Sequence, residues 1–146
     1  MKKSQLVSVL VLFILLCVGC GKKSHFSEFH TIDSAKWLAG RSYNVMFRGD
    51  SKLESQELVL LINTNSDFKS DSICFMLEIM NSDRRVWDDS ITLNMSSCVN
   101  ILKKQYNEIT IAENCDFSNE GVYRFKIKNI SQSFINGVEE IGIAIK

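Results

Sequence analysis

Two cysteines three positions apart, Cys17 and Cys20, are the first residues whose type and spacing could support chemistry. A Cys-x-x-Cys pair can bind a metal ion or form a redox-active disulfide. Here an apolar run over residues 6–18 follows Lys2 and Lys3; Cys17 lies near its end, and Cys20 comes two residues after it. This run of 13 residues has the length of a signal-peptide core and is shorter than the ~20 residues of a transmembrane helix. The sequence therefore predicts a signal peptide that carries Cys17 away, which excludes a paired-cysteine site.

The residue after this run, Gly19, is small and directly precedes Cys20. A small residue before a cysteine at this place resembles the bacterial lipobox, in which the cysteine is acylated and begins the mature protein. The sequence departs from that motif at Cys17, where leucine is usual. We predict a lipoprotein signal peptide over residues 1–19 and lipidation of Cys20, with an ordinary secretory signal as the alternative. Residues 20–27 are polar and basic and are expected to form a tether.

The composition after residue 19 is that of one globular domain, predicted over residues 28–146. Removing the signal leaves 127 residues, with 15 basic against 17 acidic side chains. A nucleic-acid partner is not expected, because phosphate binding needs a concentrated basic surface. The hydrophobic fraction of 45% and the charged fraction of 23% indicate a folded chain.

Three further cysteines remain, Cys74, Cys98 and Cys115, and three cannot all pair within one chain. Because Cys74 lies inside a strand-like apolar run, Cys98 and Cys115 are the candidate disulfide outside the cytoplasm. The alternative is that these thiols are small buried packing groups.

Alternating apolar and polar residues predict that the domain is built from β-strands. Tyr43, Val45 and Phe47 share one parity, and the same period of two recurs at residues 73–79, 123–127 and 141–145. Turn-forming segments separate these runs, at 48–52, 63–67, 81–85, 118–121 and 132–137. We predict an all-β fold, an antiparallel β-sandwich of the jelly-roll or immunoglobulin-like kind.

Two segments depart from this alternation. Residues 58–62 are apolar at every position, as expected of a central strand covered on both faces. The segment from Ser96 to Tyr106 has capping residues followed by helical spacing, which predicts at most one short helix; an irregular loop is the alternative.

No residue pattern indicates catalysis, a metal or a cofactor. The two histidines, His25 and His30, lack the further ligands of a zinc site. The acid pairs 88–89 and 139–140 would point to opposite faces of a strand, so solvated turn charge is the better interpretation. Hydrolase and nucleotide-binding motifs are absent from the sequence.

Aromatic residues offer one candidate binding surface. Trp37, Trp87, Tyr106 and Phe134 could stack against a sugar or a peptide, although most aromatic residues serve as core. Trp37 and Phe134 are the better candidates for exposure, because they lie in segments without strand periodicity.

Blocks of sequence along the chain resemble one known family. The C-terminal block "FINGVEEIGIAIK" falls in step with a family signature that typically reads Gly-Ile-acid-Asp-Val-Gly-Leu-basic-Ile, and earlier blocks "HTIDSAKW", "YNVMFRGD", "LVLLINTNSDFKSDSICFMLEI", "WDDSITL" and "FSNEGVYRFKI" fall in matching order. Together they resemble the GldH gliding motility lipoproteins of the Bacteroidota. The chain departs from the family pattern at Ile62, which replaces arginine, and at residues 68–69, which replace Tyr-Pro. In the C-terminal block the matching residues are Gly137, Val138, Glu139, Glu140, Ile141, Gly142, Ile143 and Ile145.

The resemblance implies a non-enzymatic lipoprotein of the cell envelope that works in gliding or in the associated secretion machinery. Its expected partners are the membrane, through the lipid anchor, and other envelope proteins. Because Gly21 stands where some lipoproteins carry an inner-membrane aspartate, we expect the outer membrane, with the domain facing the periplasm. The alternative is an envelope lipoprotein that binds a glycan or a peptide.

Three Asp-Ser-(Ala or Ile) triplets resemble the O-glycosylation sequon of the same phylum. Their serines, Ser34, Ser72 and Ser90, are candidate modification sites, although strand-edge chemistry explains most such matches.

Overall fold

The computed structural model describes residues 24–82, 84–95 and 104–146. The predicted signal peptide, Cys20, Cys98 and most of the predicted helix lie outside these residues. Ten strands lie within them: β1 (Phe26–Thr31), β2 (Lys36–Trp37), β3 (Ser42–Arg48), β4 (Gln56–Asn65), β5 (Ser72–Asn81), β6 (Arg84–Asn94), β7 (Lys104–Cys115), β8 (Val122–Asn129), β9 (Ile135–Asn136) and β10 (Val138–Ile145).

The strands form a sandwich of two four-stranded antiparallel sheets. The first sheet has the order β1-β10-β4-β7 and the second has the order β3-β8-β5-β6, while β2 and β9 form a short ladder of their own. Among the eight long strands, the first pairs with the last, the second with the seventh, the third with the sixth and the fourth with the fifth. This nested pairing is that of a jelly roll, so the predicted all-β sandwich is confirmed and the immunoglobulin-like option is not the one adopted.

Alternation along the strands builds the core between the sheets. In β5 the side chains of Ile73, Phe75 and Leu77 are fully buried, whereas Cys74 and Met76 between them are half-exposed. The matching inward residues of β3, β8 and β10 complete one apolar cluster shared by both sheets. Each sheet is therefore stabilised by the other rather than by its own strand pairing alone.

Strand β4 is central and buried on both faces, as its continuous apolar run predicts. Val59 and Leu61 lie on the outer face and are 2% and 0% exposed. Lys146, beyond β10, forms an ion pair with Glu108 on β7. Because β4 lies between these two strands, the ion pair crosses its outer face and the Lys146 stem shields apolar surface there.

Strand β10 lies inside the first sheet, and Gly142 allows β1 to pair closely with it. Gly142 pairs with Phe29 of β1, and an added Cβ would overlap the carbonyl oxygen of Glu28. At Gly137, just before β10, the backbone has a φ of +81°, and a Cβ would overlap the backbone nitrogen of Phe68. Both positions therefore require glycine, the first for space and the second also for its left-handed backbone.

Two boundaries differ from the sequence-based expectation. Phe26 and Ser27, placed in the tether by composition, begin β1 and pair with Ile145 and Ala144. The last three residues of the predicted helix, 104–106, belong to β7. The described residues contain one helical turn, a 3-10 turn at Asp33–Ala35, and none of them form a helix of the length and hydropathy that crossing a bilayer would take.

The sandwich has two distinct ends, the N-terminal end and the far end. At the N-terminal end β1, β4, β6 and β8 begin, and the connections 49–55 and 116–121 lie there. At the far end lie residues 32–41, 66–71 and 130–134. On one side β1 packs against β3; we call the opposite side, where a hollow opens between β6 and β7, the open side.

Candidate functional site

Exposed apolar side chains are grouped at the two ends of the sandwich. Single exposed apolar residues are ordinary, so their grouping is the informative feature. At the far end lie Leu38, Ile130 and Phe134, and toward the N-terminal end lie Met46, Val86 and Val122. Among the described residues the large exposed apolar side chains are Phe29, Leu38, Met46, Val86, Val122, Ile130 and Phe134.

The short β2–β9 ladder presents two of these residues together at the far end. Trp37 pairs with Ile135, and both side chains point inward, with exposed fractions of 0% and 5%. Continuing this register by one position would place Leu38 opposite Phe134, and both of these flanking residues are turned toward solvent. Their exposed fractions are 55% and 52%. The Lys36 ammonium lies 5.5 Å from the centre of the Phe134 ring, and we call Lys36, Leu38 and Phe134 the tip patch.

One buried side chain, Asn129, fixes the segments that carry the tip patch. Its exposed fraction is 0%, and its amide donates to the carbonyl oxygens of Trp37 at 2.8 Å and Ser133 at 3.5 Å. Its side-chain oxygen accepts the backbone N–H of Ser131 at 2.8 Å. Asn129 thus joins β2 to the segment that leads into β9, and a buried amide so satisfied specifies one arrangement.

Of the two aromatic residues expected to be exposed, one is exposed and the other is buried; the side chain of Tyr106 lies outside the described part of the structure. The prediction that Trp37 is exposed is wrong, because its side chain is buried. Its ring centre lies 6.5 Å from that of Phe75, and its indole N–H donates to the carbonyl oxygen of Arg41 at 3.1 Å. Phe134 is exposed, as predicted, and Trp87 is half-buried. The exposure of Leu38 was not predicted. The sequence alone does not show that Leu38 and the neighbouring Trp37 point in opposite directions, because this depends on the register of the ladder.

A hollow of about 280 Å³ adjoins the tip patch, and the candidate modification site Ser34 lies in it. Ser34 is exposed and sits in the 3-10 turn with a φ of 56°. Ser72 begins β5 and Ser90 lies within β6, and both are exposed. Glycosylation at all three stays a prediction. The hollow is lined by Asp33, Ser34, Lys36, Leu38, Arg41 and Tyr43.

A second hollow, the edge cleft, lies on the open side between β6 and β7. Its volume of about 270 Å³ falls just below the roughly 300–1,000 Å³ of most ligand pockets. It is mainly apolar, and Trp87 and Cys115 form opposite walls. Its lining residues are Leu58, Ile79, Val86, Trp87, Ala112, Cys115, Asp116, Phe117 and Tyr123.

Two titratable groups in the edge cleft have shifted pKa values. Burial raises the pKa of the Cys115 thiol, partly offset by a backbone hydrogen bond at Leu58. Hydrogen bonds from Ser118 lower the pKa of the Asp116 carboxyl; the backbone N–H of Ser118 donates to it at 2.8 Å. The Cys115 thiol is therefore a poor nucleophile at neutral pH. Because Cys98 lies outside the described residues, a Cys98–Cys115 bridge stays a prediction.

The first acid pair diverges, as the sequence predicts, but it lies within β6 and not in a turn. Asp88 pairs with Glu78 on the outer face and Asp89 with Leu77 on the inner face, so the two carboxylates diverge. Asp88 accepts a hydrogen bond from Arg85 at 3.4 Å.

The second acid pair does not fit the prediction of solvated, divergent turn charge. A β-bulge between Val138 and Glu140 interrupts the alternation. As a result Glu139 accepts from Asn65 Nδ2 at 3.3 Å and Glu140 from Asn63 Nδ2 at 3.0 Å. Both half-buried carboxylates are thus held by amides of β4. No group of three or more potential metal ligands occurs within the described part of the chain.

The sequence matches the family model of the GldH lipoproteins over residues 24–145. The chain belongs to the GldH lipoprotein family. The match covers every described strand, and membership in a lipoprotein family implies anchoring to a membrane. The C-terminal block contains two glycines at close backbone contacts. Gly137 allows residues 67–68 to approach, and Gly142 allows β1 to approach, because an added Cβ would overlap their backbone atoms.

Comparison with solved structures supports the fold. A family GH115 4-O-methyl-α-glucuronidase, BtGH115A, with specificity for decorated arabinogalactans, aligns with a TM-score of 0.51 at 11% identity, over 85% of this chain and 18% of that chain. Dimeric latent PorU from Porphyromonas gingivalis aligns with a TM-score of 0.35 at 11% identity, over 88% of this chain and 14% of that one. This chain thus spans less than a fifth of either protein, and the first likeness shows the fold alone. Comparison with curated protein sequences gives no match.

Proposed function

We propose that this GldH-family protein is a non-enzymatic component of the gliding motility machinery or of its associated secretion system. In this proposal residues 1–19 are removed, Cys20 is acylated, and the domain binds another envelope protein through the tip patch. The family supports the lipoprotein setting. The observation that carries the binding role is the outward pair Leu38 and Phe134.

The tip patch has the make-up of a small protein-docking surface. Leu38 and Phe134 are more than half exposed, although burying such side chains is favourable by about 1.5–3 kcal/mol each. Lys36 and Arg41 at their margin supply a polar rim, with Lys36 over the aromatic ring. An aromatic anchor within a charged rim is typical of the residues that dominate protein–protein affinity.

The position of the tip patch suits a protein that is held at its other end. The chain enters the sandwich at Phe26, at the N-terminal end, and the tip patch lies at the far end. Because a bacterial lipoprotein carries several acyl chains, its anchoring is stable, whereas one chain gives only marginal binding. Confinement to the outer membrane, facing the periplasm, raises the effective concentration of the tip patch for partners there.

A non-enzymatic role is supported by the chemistry of the acidic groups. Asp88 and Asp89 diverge, and Glu139 and Glu140 are held by amides of β4. The first pair therefore does not present two carboxylates to one substrate position, and the second pair, although it lies on one face, is engaged with the side-chain amides of Asn63 and Asn65.

The test replaces the tip residues and measures function in cells. A Leu38→Ser/Phe134→Ser protein should fold and stay in the membrane fraction but fail to restore gliding or secretion in a deletion strain. The matched control is Val86→Ser, which removes a 57% exposed side chain near the other end and should restore function. Full activity of the double variant would overturn the role of the tip patch.

A second candidate function is binding of a peptide or glycan in the edge cleft. The half-buried Trp87 lines this cleft and offers a stacking surface. Under this alternative the Val86→Ser variant, not the tip variant, loses function. Trp87 fluorescence would then respond to added peptides or oligosaccharides, whereas an unchanged spectrum would contradict ligand binding there.

A further inference from the structure

The second group of exposed apolar residues forms a mixed apolar and basic surface on the outer face of the second sheet. Met46 pairs with Arg124 of β8, and Arg124 pairs with Met80 of β5. At the next outward-facing position toward the N-terminal end, Arg48 pairs with Val122. Met46 and Val122 are 58% and 48% exposed. We call Met46, Arg48, Met80, Val122 and Arg124 the basal patch.

The basal patch surrounds a shallow hollow rather than a closed pocket. The hollow has a volume of about 380 Å³ and is lined by Met46, Met80, Ser82, Gly121, Val122 and Arg124. Arg124 donates to the sulfur of Met80 at 3.3 Å. A neighbouring hollow of about 430 Å³ contains Arg48 with the acidic residues Asp50 and Glu120.

A row of cations continues from the basal patch along β8. After Val122, the outward residues of this strand are Arg124, Lys126 and Lys128, because the residues between them are buried. On the adjacent strands, the acidic side chain beside this row is Glu78, which pairs with Lys126 and lies 3.8 Å from Arg85. The outer face of β8 is therefore positively charged along its length.

The tether enters the sandwich at the same corner. The ring of Phe26, the first residue of β1, lies 5.0 Å from the ring of Phe47. Phe47 lies between Met46 and Arg48 in β3 with its side chain on the inner face, so β1 begins beside the same end of β3 whose outer face carries the basal patch. From Cys20 to Phe26 the chain can extend at most about 22 Å.

We propose that the basal patch rests on the headgroup region of the membrane that holds the lipid anchor, and so orients the domain. This inference rests on the proposed acylation of Cys20. The short tether keeps the patch near the bilayer, the apolar Met46 and Val122 enter the interface, and Arg48 and Arg124, at the N-terminal end of this face, meet anionic headgroups. Because the contact is confined to the N-terminal end of the face, the far end, with the tip patch, lies outside it.

Oxidative footprinting of the acylated full chain tests this orientation. The protein is placed on vesicles of phosphatidylethanolamine and phosphatidylglycerol, and side-chain labelling is compared with that of the Cys20→Ser protein free in solution. Labelling of Met46 and Val122 should fall several-fold on the vesicles. Labelling of Leu38 and Phe134, the internal controls at the far end, should not change.

A matched pair of charge reversals tests the basic component. Arg48→Glu and Arg41→Glu make the same change at exposed positions at opposite ends of the sandwich. Arg48→Glu should restore much of the Met46 labelling on anionic vesicles, whereas Arg41→Glu should leave Met46 protected. Equal protection in both variants would contradict the contact with anionic headgroups.

Vesicle flotation separates the two proposals. If the acylated protein floats with vesicles but Met46 and Val122 are labelled as strongly as in solution, the orientation is wrong and the anchor stands. Protection of Leu38 and Phe134 instead would also overturn the orientation. If the native protein does not float, the anchor itself is wrong.

Discussion

Asn129 is the residue on which the geometry of the tip patch most depends. Its buried amide bridges Trp37, Ser131 and Ser133. In Asn129→Ala these partners lose their bonds within a buried site, so we expect the free energy of unfolding to fall by about 1–3 kcal/mol. Urea denaturation measures this loss.

The control for this variant is Asn136→Ala, at an exposed position of the same ladder. Its free energy of unfolding should change by less than about 0.5 kcal/mol. Equal losses in the two variants would mean that the buried bridges do not organise this end.

Gly142 gives a second prediction at the scale of one residue. In Gly142→Ala the new methyl group overlaps the Glu28 carbonyl oxygen, so β1 must move away from β10. We expect a loss of about 1–3 kcal/mol, the usual cost of overpacking, and faster hydrogen exchange over residues 26–31. In Gly40→Ala a Cβ meets nothing within 4 Å, but the φ of +73° strains any side chain; this control should lose some stability without a selective increase in β1 exchange. Unchanged exchange in Gly142→Ala would show that β1 does not depend on this close approach.

The burial of single residues was predicted well where the local sequence pattern determines it. It was predicted badly where a partner distant in sequence determines it. Phe134 is exposed and Trp37 buried although both lie outside periodic segments. What separates them is their opposite direction in the β2–β9 ladder, whose strands are about 100 residues apart in sequence. Asn129 gave no signal either, because its partners are backbone groups of other segments.

At the scale of elements, the strands β6 and β7 on the open side carry features that discourage edge-to-edge pairing. Asp89 of β6 points to the inner face, opposite Leu77, and β7 has register shifts against β4 near Leu58. Inward charges and bulges are common protections of sheet edges. Binding through the surface of the tip patch is therefore a better interpretation than addition of a partner strand.

Removing the inward charge of β6 should promote association between copies of the protein. In Asp89→Val the inner face of β6 becomes continuously apolar from residue 87 to residue 93, so we expect concentration-dependent association, measured by light scattering. The control Asp88→Val changes the adjacent residue on the outer face and should remain monodisperse. Association of both variants to the same extent would mean that added hydrophobicity, not the inward position, is responsible.

The elements themselves were largely predictable from period-two alternation, which located β3, β5, β8 and β10. The continuous apolar run of β4 also predicted its burial on both faces. Bulges were not predictable: the one at Val138 and Glu140 brings two acids to one face, contrary to simple alternation. A bulge depends on the partner strand, so a strand's own sequence does not reveal it.

The topology of the whole molecule was the least predictable feature. The sequence indicates a sandwich but leaves jelly-roll and immunoglobulin-like pairings open. The choice depends on contacts such as β1 with β10, the first strand with the last, which no local pattern encodes. The same distant pairings place the tether and the tip patch at opposite ends.

Because one apolar cluster joins both sheets, we expect the sandwich to unfold as a single cooperative unit. In Trp87→Phe the remaining tryptophan, Trp37, is fully buried and reports on the far end, whereas far-ultraviolet circular dichroism reports on all strands. In the Cys20→Ser background, both signals should give one urea midpoint, with a slope of about 1–3 kcal/mol/M. Loss of circular dichroism at lower urea than the Trp37 signal would instead show that the strands on the open side unfold first, and the sheets would then not share their stability.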